Sequence, residues 1–399
     1  MKKVSLLLLV LLVSSWNAPV FQIRTAQAWW DVGHQVIASR AIDFLPAGWR
    51  EFFSNYEWLI NETTLYPDTV YRSIYSDEDP RHFIDLEVWT PSDPNTGTLH
   101  LAVEEFVQAM AEAMKAGDWN AVLLDAGRVA HYVADIHQPY HATVYYNPKG
   151  LHSVLDGSLQ AHIAEMTLVK PDELGPLQPV SNLTDFVFSI ARQSNSFLPV
   201  INRTLIDEGR PWSQELTSII ENRTNSAIVD VARVWVTAIT RAGVQPPSVP
   251  PDNSLKVEVA SGMPTNRTLD PAAPVSVGVF VSDKLGVGFI GSLTATLGSD
   301  ALLASPINLD PSPQGKFSVY IPASLLAKHS GQSVTLRLTA SGQAYQQVSV
   351  EFELDVLPSS SGQQQASPQG SDQMLYAYLG LSLAILIVAA LMLVRRRRR

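Results

Sequence analysis

The chain reads as a multidomain protein: an all-α domain, then an all-β sandwich, then a C-terminal transmembrane helix. Three observations predict this order. Between Trp29 and Gly243 the apolar residues recur at three- and four-residue steps, the period of helices packed on one face. Between residues 255 and 357 they alternate in steps of two, as in half-buried strands. Met374 to Val394 is an uncharged run of 21 residues, and about 20 suffice to cross a bilayer as a helix.

Taken in order, residues 1–28 read as a secretory signal. Lys2 and Lys3 precede the apolar run Val4 to Val13, and a polar stretch ends in Ala26-Gln27-Ala28. Cleavage there makes Trp29 the mature N-terminus; cleavage nearer Ser15 or Ala18 is the alternative. In the domain spanning 29–243, Leu101 to Ala116, Trp119 to His137, Leu183 to Phe197 and Ser213 to Ala242 carry the helical spacing, and Pro139 closes the second of these. Residues 244–254 are proline-rich and form a stiff linker.

Over 255–357, Val257 and Val259, Val275 to Val281, Phe317 to Ile321, Val334 to Leu338 and Val348 to Leu354 step by two. Turn residues separate them, which suggests an immunoglobulin-like sandwich serving as spacer or adhesion module. Residues 358–373 are Ser-, Gln- and Gly-rich and read as a flexible stalk, followed by the membrane span 374–394 and the arginines 395–399. Five arginines directly after an apolar span stay cytoplasmic, so the expected protein is exported, single-pass and membrane-anchored, with its domains outside the cell. Asn-x-Ser/Thr acceptors at Asn61, Asn182, Asn202, Asn222 and Asn266 fit an exported glycoprotein.

Charge and cysteine content narrow the chemistry. The whole chain carries −10; without the eight positive charges of the two ends, residues 29–373 carry −18. A surface this acidic disfavours indiscriminate binding of polyanions, so a phosphate ligand needs a local positive site. The chain has no cysteine, which removes disulfides and thiolate metal sites.

Eight of the nine histidines fall between His34 and His162. His131 and Asp135 are four apart and project from one helical face, where both reach one ion or two neighbouring ions. His141 follows Pro139, where the chain can turn back, and His152 and Asp156 repeat the four-residue spacing. Asp68, His82 and His34 lie upstream. Imidazoles and carboxylates at this density, without sulfur, suit zinc held by nitrogen and oxygen. His137, two residues after Asp135, points off the ligand face and reads as structural or as orienting a ligand. His100, His162 and His329 read as ordinary.

Trp29, Gly33-His34, Pro67-Asp68, His82-Phe83-Ile84-Asp85, the run from His131 to His141, and Gly150-Leu151-His152-Ser153 leading to Asp156 together resemble a known superfamily. It comprises bacterial zinc-dependent phospholipase C and the fungal and plant single-strand-specific zinc nucleases. The resemblance implies an all-helical domain with three zinc ions, two bridged and one apart. Asp68, His82, His131 and Asp135 would hold one ion of the pair. Asp135 would also reach its neighbour, completed by His34 and by the α-amine and carbonyl oxygen of Trp29. His141, His152 and Asp156 would hold the isolated ion. Phe83 and Asp85 would hold a nucleic-acid base, unless Phe83 packs in the core. Three zinc ions against three carboxylates leave about +3 at the site, enough to hold a phosphoryl group on an anionic protein.

The expected activity is hydrolysis of a phosphodiester, in single-stranded nucleic acid or phospholipid, by a zinc-activated water, with Asp68 and Asp135 as the catalytic carboxylates. Gly33-His34, the His-Gln-Pro run and an aspartate at 156 are nuclease-like. The short interval between His141 and His152 and the absent cysteine pairs are closer to the phospholipase side. Two alternatives stand: a surface adhesion protein whose zinc is structural, and a phosphomonoesterase.

Overall fold

The computed structural model describes residues 30–359, apart from 208, 210–212, 250–253, 290, 308–314 and 343–344. The leader with Trp29, most of the stalk, the apolar run 374–394 and the terminal arginines lie outside the described residues. Among the described residues no helix is long and apolar enough to cross a membrane.

The first domain is helical. Its main elements are α1 (Trp30–Ile42), α2 (Ala47–Asn55), α3 (Glu57–Thr63), α4 (Leu99–Ala116), α5 (Trp119–His137), α6 (Leu151–His162), α7 (Leu183–Asn195) and α8 (Gln214–Ala242). Their ends follow from local chemistry. The side chains of Asp118, Asn182 and Ser213 accept from backbone N–H groups in the first turns of α5, α7 and α8. Gly117 and Gly243 close α4 and α8 at φ 72° and 66°, where a side chain would be strained.

Helix α5 is the axis of the domain. It packs against α1, α3, α4, α7 and α8 and is buried from Val122 to His137, as expected of a helix with no solvent face. Its buried polar groups therefore need partners inside the protein, and those partners build the site. An aromatic cluster of Trp49, Phe52, Phe53, Tyr56, Trp119 and Trp235 anchors one side, with the Trp235 indole N–H donating to the Ala126 carbonyl at 3.0 Å.

The second domain is β1 (Lys256–Ser261), β2 (Thr268–Leu269), β3 (Val275–Ser282), β4 (Ser292–Leu297), β5 (Asp300–Pro306), β6 (Lys316–Ile321), α9 (Ala323–Lys328), β7 (Ser333–Ser341) and β8 (Val348–Val356). The strands form one eight-stranded sheet in the order β1-β3-β6-β5-β4-β7-β8-β2. Neighbours are antiparallel except β2 and β8. Two packed but separate sheets were expected. Instead β5 pairs with β4 through Asp300–Leu302 and with β6 through Leu303–Pro306, joining both ladders into a sheet that curls over one core. Period-two alternation specifies the buried face of each strand, not which strand it pairs with. Val257, Val277, Val279, Val281, Val319, Ile321, Leu336 and Leu338 point into that core as the alternation predicts.

The domains touch through the turn after β3. Val287 is fully buried in the helical core, the Gly288 N–H donates to Asn120 Oδ1 of α5 at 2.9 Å, and the Tyr56 hydroxyl donates to Asp283. The Asp283 carboxylate also accepts from the Leu285 and Val287 N–H groups, at 2.8 and 3.0 Å. The turn is thus fixed in shape where it meets the helix that carries His131 and Asp135.

Candidate metal centre

Six segments deliver the histidines and aspartates to one buried place. α1 brings His34, a π-helical turn (Pro67–Tyr71) brings Asp68, and a 3-10 turn (Asp79–His82) brings His82. α5 brings His131 and Asp135 one turn apart, the 3-10 turn after Pro139 brings His141, and α6 brings His152 and Asp156 one turn apart. His131, Asp135 and Asp156 are wholly excluded from solvent, and His34, His82, His141 and His152 nearly so.

Asp135 is the hub. Its Oδ2 lies 2.9 Å from His82 Nδ1 and 3.2 Å from His131 Nε2, while its Oδ1 lies 3.4 Å from His34 Nε2. His34 stacks on His131 with ring centroids 4.1 Å apart. Asp68 completes the first side, with Oδ1 at 3.7 Å from His82 Nδ1 and Oδ2 at 3.9 Å from His131 Nε2. On the other side His141 Nε2 and His152 Nε2 are 3.1 Å apart, and His152 Nε2 is 3.4 Å from Asp156 Oδ2. His34, His131 and Asp135, and separately Asp68, His82 and His131, each bring three ligand atoms close enough for one cation.

The outer hydrogen bonds decide which nitrogens face inward. His131 Nδ1 donates to the Thr64 carbonyl at 2.8 Å, and His141 Nδ1 donates to the His82 carbonyl. In a neutral ring this leaves Nε2 as a lone pair aimed at the cluster. Gln138 Nε2 donates to Asp156 Oδ1 at 2.9 Å. Neither ring nitrogen of His34 has a hydrogen-bond partner among the described residues. Buried nitrogens turned toward carboxylates and one another, with their outer faces tied, are what a cation bound by nitrogen and oxygen requires. The donor set fits zinc, and the arrangement is too buried and too purposefully polar for an ordinary apolar core.

Electrostatics agree. Burial, with the nearby His131, pulls His34 down from 6.5 to about 3, so it is neutral and ready to ligate. Burial likewise lowers His141 and holds His152 well below its usual value. Burial alone would raise Asp135, but His131 and His141 hold its carboxyl well below the usual range. His82 is the exception. Burial would lower it, yet the hydrogen bond to Asp135, the Glu78 carboxylate beside Nε2 and the charge of Asp68 raise it to about 9. The carboxylates around His82 demand a positive charge, and without metal a proton supplies it.

This fixes a pH dependence. In metal-free protein, protonated His82 contributes stability that is fully present below 6.5 and lost as pH rises through about 9. His34 acts in the opposite sense, its contribution lost as pH falls from 6.5 toward about 3. Zinc must displace the His82 proton, so apparent zinc affinity rises with pH, by up to about tenfold per unit below about pH 9. Competition titrations against a chromophoric chelator measure this, and a flat profile between about pH 6 and about pH 9 contradicts it.

His137 turns away from the cluster. Its Nε2 lies 3.2 Å from Asp230 Oδ2 and its Nδ1 3.5 Å from Arg223 Nη1, both on α8. His137→Ala is expected to leave zinc content intact while costing about 1–3 kcal/mol of stability through its lost contacts with Arg223 and Asp230. Metal analysis with urea unfolding reads both, and loss of a full zinc equivalent contradicts it. Phe83 and Asp85 are half-buried beside the site, their segment tied on by the Ile84 N–H donating to the His141 carbonyl at 2.9 Å. Burial and the neighbouring Glu87 push the Asp85 carboxyl up to about 6. His100 packs on Trp89 and Phe188, His162 faces Glu165, and His329 faces Asp300, all away from the cluster.

Sequence reasoning missed Thr64, Glu78, Tyr132 and Gln138. For Glu78 a signal existed: it precedes His82 by four residues, the same spacing as His131–Asp135 and His152–Asp156. Its place in the acidic run Asp77-Glu78-Asp79 disguised it as solvent-facing.

A buried cluster of nitrogen and oxygen donors in a helical domain is the arrangement on which a metal-dependent hydrolase of phosphoric ester bonds is built. Residues 29–166, which hold every member of the cluster, match the family model described as S1/P1 Nuclease. Alpha toxin from Clostridium absonum is similar in structure at TM-score 0.43 and 12% identity, covering 81% of this chain and 98% of that one. An alpha-toxin from an avian strain of Clostridium perfringens is similar at TM-score 0.41 and 11% identity, covering 81% and 97%. No curated protein matches.

Proposed function

We propose that the chain is an exported, membrane-anchored zinc phosphodiesterase whose helical domain holds three zinc ions. The observation that carries this is the division of Asp135: Oδ1 faces His34 at 3.4 Å, while Oδ2 faces His82 and His131 at 2.9 and 3.2 Å. One carboxylate with its two oxygens turned to different histidine sets is suited to bridge two ions. Asp68, His82 and His131 would complete one position and His34 the other, to which Trp29, outside the described residues, would add its amine and carbonyl. His141, His152 and Asp156 form the third.

Bound zinc supplies Lewis acidity, polarising a phosphoryl oxygen and lowering the pKa of a water. The protein orients and balances charge. Arg72 Nε lies 3.0 Å from Asp68 Oδ1, balancing its charge and leaving Oδ2 turned to the cluster. Thr64 and the His82 carbonyl fix the His131 and His141 rings, so little reorganisation accompanies the reaction. Phe83 and Asp85, at the margin, are placed to hold the substrate's base or headgroup.

The substrate is a phosphodiester of single-stranded nucleic acid or phospholipid. An N-terminal leader and a membrane span at 374–394 followed by arginines would put the site outside the cell beside a bilayer. Assays of zinc-loaded and chelated protein on single-stranded nucleic acid, 3′-nucleotides and phosphatidylcholine test the reading. Chelator-sensitive cleavage of a diester supports it; cleavage of monoesters alone, or inertness on all three, overturns it.

A further inference from the structure

We infer that Glu78 is a positioning residue that sets which nitrogen of His82 faces the metal cluster. The inference rests on the metal reading of that cluster and adds a carboxylate to its supporting shell. His82 Nδ1 points inward, 2.9 Å from Asp135 Oδ2 and 3.1 Å from His131 Nε2. Its Nε2 points outward, 3.2 Å from Glu78 Oε1, within ion-pair reach but out of hydrogen-bond alignment. A neutral imidazole carries one N–H, and an ionised carboxylate only accepts. With Glu78 ionised the proton sits on Nε2, and the Nδ1 lone pair is turned to the cluster.

Glu78 is itself buried, at 3% exposure, and is held from two directions. The Tyr132 hydroxyl donates to Oε1 at 2.6 Å, and Arg81 Nε lies 3.7 Å from Oε2. Tyr132 directly follows His131, so the turn of α5 that presents one inward nitrogen also anchors the carboxylate that orients another. Arg81 is fixed in turn by Glu105 of α4 at 2.9 Å and by the Phe106 and Tyr132 rings. These contacts face the outer side of His82, where Tyr71, Tyr75, Glu78, Arg81, Phe106 and Arg128 line a cavity of about 270 Å³. Glu78 therefore acts through His82 and touches neither ion nor substrate.

The test is zinc affinity of wild type, Glu78→Gln and Tyr132→Phe, by competition with a chromophoric chelator, with circular dichroism to verify folding. Wild type binding no zinc overturns the metal reading itself. If wild type binds, Glu78→Gln is expected to weaken one zinc by about 10–100-fold while reaching the same stoichiometry at saturation. Tyr132→Phe, which keeps the carboxylate and removes one anchor, is expected to weaken the same ion less. Proton–nitrogen spectra of zinc-loaded wild type should show a His82 Nε2–H that exchanges faster in Glu78→Gln. Affinity within about twofold of wild type, loss of a full equivalent at saturation, or a His82 proton on Nδ1 overturns the assignment.

Discussion

Asp135→Asn is expected to release the paired zinc ions and reduce phosphodiester hydrolysis by about a thousandfold or more. The reason is geometric before it is electrostatic. The amide keeps the volume and leaves α5 intact, but it puts an NH2 where one of two accepting oxygens stood. Whichever way it turns, either His34 or the pair His82 and His131 meets a donor instead of an acceptor. The centre also loses a negative charge in a place with no solvent to compensate. Zinc analysis and diester turnover measure the two effects, and retained three-ion stoichiometry contradicts the assignment.

Gly127→Ala is expected to destabilise the protein by about 3 kcal/mol and to weaken zinc binding without touching a ligand. A Cβ on Gly127 would sit 2.1 Å from Thr63 Oγ1, 2.7 Å from the Ile60 carbonyl oxygen and 2.9 Å from the Thr64 nitrogen. Two of those atoms are backbone, so α3 must move away from α5. The displaced segment includes Thr64, whose carbonyl fixes the His131 ring at 2.8 Å. Gly127 is thus the contact distance at which the His131 tautomer is set. Urea unfolding of metal-free protein reads the packing cost, and zinc competition reads the orientation cost. Stability within about 0.5 kcal/mol of wild type would mean the helices have room to part.

How much of this was legible in the residues follows from what carries each feature. The long helices were, because burial on one face leaves a three- and four-residue imprint: the segment from Leu101 to Ala116 is helical, with Val103, Val107, Met110 and Met114 buried. His131 with Asp135 and His152 with Asp156 stood out by their four-residue spacing around the His-Gln-Pro run, while His34, Asp68 and His82 were joined to them by the resemblance of their motifs. Tautomers were not legible. The carbonyls of Thr64 and His82 that orient His131 and His141 are backbone atoms, and every residue has one. The curled sheet was hidden for a related reason, since β5 changes partner midway through backbone hydrogen bonds. Glu78 was visible only as one acid among three.

The central claim is that buried imidazoles and carboxylates make a cationic pocket by holding zinc inside a protein whose exterior is anionic. Metal analysis of the processed protein, purified without chelator, tests it most directly. The account predicts about three tightly held zinc ions per chain, lost together with diester cleavage on chelation and restored with it on zinc addition. A protein that is folded, correctly processed and free of bound transition metal even after zinc loading would contradict it.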